Sequence, residues 1–174
     1  MINPILTNSS NNCDYKISAI ALGSNMGDSQ KTLESALQRL DEIPHIQVKS
    51  YSSWYKTTPI GPSQAEFLNG CAVLEVGLAP HDLLNTLLKI EDEFGRVRQE
   101  RWGPRTLDLD LILYDNLVLN TPNLTIPHPE MLNRAFVLVP LAEIAPNMIE
   151  PQSGLSIREL LAKVEQSGVT LLAS

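Results

Sequence analysis

Two stretches with helical spacing of apolar residues, each framed by strand-like runs, restrict the fold of this 174-residue chain most strongly. In the first, Ser29 to Ile43, Leu33, Leu37 and Leu40 recur three and four positions apart with Ala36 beside them, which gives a helix one apolar face. Pro44 stops it. In the second, Pro80 holds the favoured first helical position, Leu83, Leu87 and Ile90 mark the buried stripe, and Gly95 ends the helix. Strand character falls between and around them, at Ile17–Leu22, His45–Lys56, Phe67–Leu78 and Leu107–Leu113. The order β-α-β-β-α-β, with two crossover helices on a mostly antiparallel sheet, predicts an α+β chain of the ferredoxin-like, split βαβ plan. A turn at Asp115-Asn116, a short returning strand at Val118-Leu119 and an extended run from Leu124 to His128 predict an added hairpin. The apolar run Phe136–Leu141 is expected to complete the sheet, and Ser156–Val164 to form a C-terminal helix with Leu160 and Leu161 inward. Such an architecture hosts many activities, so function has to come from particular residues.

The segment RWGPRTLDLDLI, Arg101 to Ile112, carries the most chemistry. Residues two apart on a strand point the same way, so Asp108 and Asp110 project from one face while Leu107, Leu109 and Leu111 project from the other. Two adjacent carboxylates repel unless a cation or proton lies between them. Magnesium suits such a pair, since it binds through one or two carboxylates and takes other oxygens from water and phosphates. Arg96, Arg98, Arg101 and Arg105 fall within ten positions of one another, and guanidinium groups grip phosphate oxygens. The pair alone also fits a solvated strand face; the arginines, Trp102 and the Gly103-Pro104 break tip the reading towards phosphoryl chemistry.

Net charge is −7, so this cluster is a positive island on an acidic chain, and an extended nucleic-acid surface is not expected. Cys13 and Cys71 are far apart and lack zinc-type spacing; both are expected to be free thiols in a reducing, cytoplasmic compartment. No apolar run is long enough for a membrane helix. Residues 1–14, rich in Asn and Ser, are expected to be a flexible extension without secretory-signal character, and 15–174 a single domain.

Other positions are ambiguous when taken singly. GSNMGD, Gly23 to Asp28, lacks a following Gly-Lys and reads as a tight strand-to-helix turn with Asp28 as N-cap. Thr57-Thr58-Pro59-Ile60-Gly61-Pro62 is a stiff loop. Asn69 is either a turn residue or an amide that reads a polar heterocycle. Glu91, Asp92 and Glu93 oppose the dipole of the second helix; a solvated surface is the simpler expectation, with a ligand role left open. Gly95–Pro104 is charged and non-periodic, and reads as a mobile loop of the type that closes over ligands. His128 is held between Pro127 and Pro129, and a lone histidine of this type is more often structural than catalytic.

Taken together, GSNMGD, the TTPIGP loop, Phe67-Leu68-Asn69, Gly95-Arg96-Val97-Arg98, RWGPRTLDLDLI, Pro127-His128 and Asn133-Arg134-Ala135-Phe136 follow one another at intervals that resemble the 6-hydroxymethyl-7,8-dihydropterin pyrophosphokinases of folate biosynthesis. The resemblance spans Ile17 to Leu161 and implies transfer of the β,γ-diphosphate of ATP to the pterin hydroxymethyl group, with release of AMP. It implies two Mg2+ ions on Asp108 and Asp110, with Asp110 also accepting the hydroxymethyl proton, and Arg96 and Arg105 offsetting charge on the transferred group. Arg98, Arg105, His128 and Arg134 are implied as ATP phosphate or ribose contacts, and Glu91, Leu111 and Thr125 as nucleoside contacts. Thr57, Thr58, Pro59, Ile60 and Asn69 would read the pterin edge, Phe136 sandwich its ring, Phe67 line the pocket, and Trp102 exclude water over both substrates. Phe67 stands where the family often has tyrosine, and Leu88 and Asn123 replace polar side chains that can touch ATP. The expected partners are these small molecules alone, with no nucleic acid or membrane and a monomeric chain. Two rivals are a catalytically silent small-molecule binder of the same fold and a single-stranded RNA binder; the acidic charge and the lack of an aromatic RNA-binding string disfavour the second.

Overall fold

The computed structural model describes residues 14–58, 66–95 and 106–173. Its first strand, β1 (Lys16–Ser24), is buried from Ser18 onward, as an apolar central strand must be. Gly27, at φ 63, turns the chain into α1 (Ser29–Glu42), and the Asp28 side chain caps that helix by accepting the Lys31 N–H at 3.1 Å. Leu33, Ala36, Leu37 and Leu40 face inward as their spacing predicts. The strand-like stretch after Pro44 is two strands, β2 (Ile46–Tyr51) and β3 (Tyr55–Thr57). Both pair with the long β4 (Phe67–Val76), β2 along its second half and β3 along its first. Helix α2 (Pro80–Glu93) buries Leu83, Leu87 and Ile90, and Gly95 follows its end at φ 78, a conformation that favours glycine. Strand β5 (Asp108–Tyr114) closes the series.

The sheet runs β5-β1-β4-β3 and ends on β8 (Val169–Leu171), with β2 also on β4, and every pairing is antiparallel. Strand order and connections are those of the ferredoxin-like plan. Helices α1 and α2 cover one face, over Ile20, Leu22, Leu74, Leu109 and Leu111. The opposite face holds Ala19, Ala21, Cys71 and Ile112, packed against Val137, Leu138, Leu141, Ile157 and Leu160.

This second face departs from the expectation at one point. Phe136–Leu141 does not complete the sheet; it lies in α3 (Ala135–Ile144). The run is apolar on most sides because α3 is caught between the sheet and α4 (Ile157–Leu161), so it shows no helical period to read. Helix α4 is shorter than expected, with Ser156 as its cap, Leu160 buried and Leu161 half-buried. The hairpin is present as β6 (Leu119–Asn120) and β7 (Thr125–Ile126). The final strand, β8 (Val169–Leu171), pairs with β3 and had no sequence signal. No helix of the described residues is long and apolar enough to cross a membrane.

Candidate active site

Register places the two aspartates on the face of the sheet opposite α1 and α2. Asp110 pairs with Ala21, which pairs on its other side with Cys71; Asp108 pairs with Gly23, which pairs with Asn69. Asp108 and Asp110 are half-buried, whereas Leu109 and Leu111 are buried on the helix side. The alternation read from sequence is therefore correct, and the carboxylates do share a face. Their neighbours on β1 are Gly23 and Ala21, whose side chains add no polar group, so what this strand pair offers an ion is the two carboxylates. Among the described residues no group of three or more His, Cys, Asp or Glu is arranged to hold a metal. A two-carboxylate donor set fits magnesium carried with phosphate oxygens rather than an all-protein cage.

The GSNMGD motif predicts a turn from Gly23 onward, but Gly23 lies in β1 between Asp108 and Asn69. A Cβ at this position would sit 2.7 Å from Asn69 Oδ1, so the bare backbone makes room for the amide to lie across β1. Asn69 is buried, and its Nδ2 donates to Thr57 Oγ1 at 2.6 Å. That bond fixes the amide orientation: Oδ1 is turned towards Gly23 as an acceptor, and the Thr57 hydroxyl keeps its own proton to donate. Two strand spacings, roughly 10 Å, separate the amide from Asp108. Phe67, half-buried, starts β4 beside Thr57, and Thr58 follows, exposed, its N–H donating to the Gly168 carbonyl at 3.2 Å.

The opposite wall comes from the chain after β7. Pro127 is cis, and His128 N–H donates to the Ile112 carbonyl at 2.9 Å, which docks this turn against β5. His128 Nδ1 accepts the Glu130 N–H at 3.1 Å, leaving the ring proton on Nε2. Burial holds the imidazole below its ordinary range and Arg134 adds to this, while the charges of Asp110 and Glu130 push the other way. Arg134 lies 5.4 Å over the Phe136 ring, an arrangement that orients both. Phe136, half-buried in the first turn of α3, packs on the second core cluster.

The 7,8-dihydro-6-hydroxymethylpterin-pyrophosphokinase (HPPK) family model matches residues 19–146, a span that includes Thr57, Asn69, Asp108, Asp110, His128, Arg134 and Phe136. This chain is a member of that family. A 2-amino-4-hydroxy-6-hydroxymethyldihydropteridine pyrophosphokinase of Synechocystis sp. is 49% identical over 150 residues, 86% of this chain and 77% of the relative. One of Pseudomonas aeruginosa is 44% identical over 88% of this chain and 94% of its own length. Among solved structures, Plasmodium falciparum HPPK-DHPS with pteroate superposes with a TM-score of 0.70 at 14% identity, over 86% of this chain and 42% of that one, a likeness of fold.

Within this pyrophosphokinase frame, the structure brings together Asp108, Asp110, Asn69, Thr57 and His128 around one face of the sheet, with Arg134 and Phe136 following at the start of α3. Other expected residues are placed elsewhere. The Leu111 side chain is buried in the helix-side core, so only its backbone is available to a nucleoside. Thr125 is half-buried in β7, Asn123 is exposed beside it, and Leu88 is half-buried on α2. Glu91 is not on a solvated surface: it is 1% exposed, and its Oε1 accepts the Leu109 N–H at 2.8 Å. Pro59, Ile60, Arg96, Arg98, Arg101, Trp102 and Arg105 lie outside the described residues, as do Cys13 and the N-terminal extension. Cys71 is free and buried below the site; burial raises its thiol far above the ordinary range, with the Asp110 charge adding to the shift, so it stays protonated and inert.

Proposed function

We infer that this pyrophosphokinase moves the β,γ-diphosphate of ATP onto the hydroxymethyl group of 6-hydroxymethyl-7,8-dihydropterin. The observation that supports this reading is the row Asn69–Gly23–Asp108, in which a buried amide and a half-buried carboxylate share one face with only a glycine between them. In the reaction the hydroxymethyl oxygen attacks the β-phosphorus of ATP. The bond from that phosphorus to the α,β-bridging oxygen breaks, and AMP leaves with that oxygen. The hydroxymethyl proton passes to Asp110.

The residues divide this work by position. Asn69 Oδ1 accepts from the donor groups of the pterin edge, and the Thr57 hydroxyl donates to an acceptor beside it. Phe136 and Phe67 supply aromatic walls for a planar ring. His128, neutral with its proton on Nε2, donates to a phosphate oxygen without adding a charge that would repel the metal. Arg134 offers a cation near the same wall. Arg96 and Arg105 would offset negative charge on the transferred group, Arg98 would bind phosphate, and Trp102 would keep water from it. Asp108 and Asp110 would hold two Mg2+ ions, which neutralise phosphate charge and align the oxygens for in-line displacement when bound. The enzyme is then Mg-dependent, acts as a monomer in the cytoplasm, and needs no nucleic-acid or membrane partner.

Isothermal titration with a non-hydrolysable ATP analogue, with and without Mg2+, tests the metal reading. Nucleotide binding is expected to require the metal, and binding that ignores Mg2+ would sink it. A silent binding module of the same fold would bind both substrates yet release no AMP.

A further inference from the structure

Among the described residues strand β5 ends the sheet, with a strand neighbour on one side only. Backbone groups on its outer side must find partners elsewhere. Two of them do so at opposite ends of the same short stretch. The Ile112 carbonyl accepts from His128 N–H at 2.9 Å, and the Leu109 N–H is taken by Glu91 Oε1 at 2.8 Å. The second bond is the more informative. The peptide it grips joins Asp108 to Leu109, the link between the two aspartates, and a twist of that peptide would swing one carboxylate against the other.

Glu91 is an expensive residue in this place. It lies in the last turn of α2, where the helix carbonyls already disfavour negative charge, and it is 1% exposed. Taking a carboxylate out of water is costly unless strong hydrogen bonds replace the lost hydration. A solvated acid, such as Asp92 beside it, meets no such cost. An edge strand held only by its inner neighbour can slide or twist, whereas a metal pair needs its ligands fixed to within about 0.5 Å.

We propose that Glu91 is a positioning residue for diphosphoryl transfer: by holding the Leu109 amide from outside the sheet, it sets the pitch of β5 at which Asp108 and Asp110 share their ions. In this role it touches neither nucleotide nor metal, unlike the nucleoside contact implied by the sequence. The proposal rests on the metal reading of the two aspartates given above.

Three variants test it, with Leu87→Ala as the control. Leu87 is fully buried on the same helix one turn earlier, so its truncation loosens α2 without removing the bond to β5. The first readout is hydrogen exchange at the Leu109 amide in the metal-free chain. The second is Mn2+ affinity, by calorimetry, in the presence of a non-hydrolysable ATP analogue. Glu91→Ala is expected to expose the Leu109 amide and to weaken Mn2+ binding about ten-fold, the equivalent of one lost hydrogen bond. Glu91→Gln, which keeps an acceptor oxygen, should restore most of both. Leu87→Ala should leave both near the wild-type values. Should Glu91→Ala fail to fold, Glu91→Met fills the volume without an acceptor and carries the same expectation. Wild-type metal affinity in the acceptor-free variant, or an equal loss in Leu87→Ala, overturns the proposal. A wild-type chain that binds the nucleotide analogue equally well without Mn2+ instead removes the metal reading, and this inference with it.

Discussion

Replacing Gly23 with alanine isolates pterin recognition from the rest of the enzyme. The new methyl would lie 2.7 Å from Asn69 Oδ1, whereas ordinary contact begins near 3.4 Å, so the amide has to withdraw. It cannot do so in place, because its Nδ2 is held by Thr57 Oγ1 at 2.6 Å in a buried setting. Rotating it away breaks that bond and leaves buried polar atoms short of partners, at a cost of about 1–3 kcal/mol. Every 1.4 kcal/mol is a factor of ten, so pterin affinity should fall about 5- to 150-fold. Alanine is about 0.5–1 kcal/mol better than glycine inside a strand, which offsets part of the strain and keeps the fold intact. The assay is calorimetric titration with the pterin in the presence of Mg2+ and an ATP analogue, and with the nucleotide analogue alone. Nucleotide affinity should stay unchanged, since the amide and Asp108 are separated by the width of β1. A cycle with Asn69→Ala closes the reasoning: once the amide is gone, adding the methyl should cost little more. Full pterin affinity in Gly23→Ala, or an equal loss with and without the Asn69 amide, would refute it.

Three further outcomes are expected. Asp110→Ala should abolish AMP release while leaving the thermal midpoint within a few degrees, because its half-buried side chain stands outside both core clusters; normal turnover in that variant would contradict its role. His128 ionises below its ordinary 6.5 in the folded chain, so the unfolded chain takes up the proton first as pH falls. Stability is therefore unaffected by this group above about 6.5 and declines below it, and urea midpoints at about pH 7.5 and about pH 5.5 should differ less in His128→Gln than in the wild type. The Tyr55 hydroxyl, pushed up to about 12 by burial and by its bond to Glu143, should ionise earlier in Glu143→Gln when followed by ultraviolet titration. Burial is the larger cause, so the fall should be partial; no fall at all would mean that the 3.0 Å bond does not form in solution.

Most of the frame could be read from spacing, and the failures share one physical origin. Helices α1 and α2 each have one wet face, so Leu33, Leu37 and Leu40, and Leu83, Leu87 and Ile90, leave a helical period in the sequence. Strand β5 shows its two faces in the same manner, which is why the aspartate pair was legible. Helix α3 lies between two layers and Pro140 stands inside it, so Phe136–Leu141 looked like a buried strand. Period fails when every side is covered. Glu91 looked like surface for a related reason: nothing in residues 80–95 reveals that the edge of β5 will arrive against the end of α2. Gly23 did have a signal, since a glycine inside an apolar strand often marks a close approach, but the neighbouring turn motif masked it.

The central place of β1 has a consequence for how this protein comes off the ribosome. Its first strand is synthesised early, yet Ser18 finds its partner carbonyl at Leu113, 95 positions later. Until that point is translated, one flank of the strand has no mate, and neither half of the reaction can be served. A chain cut short before Asp108 would therefore present a bare, sticky flank rather than a weakened catalyst.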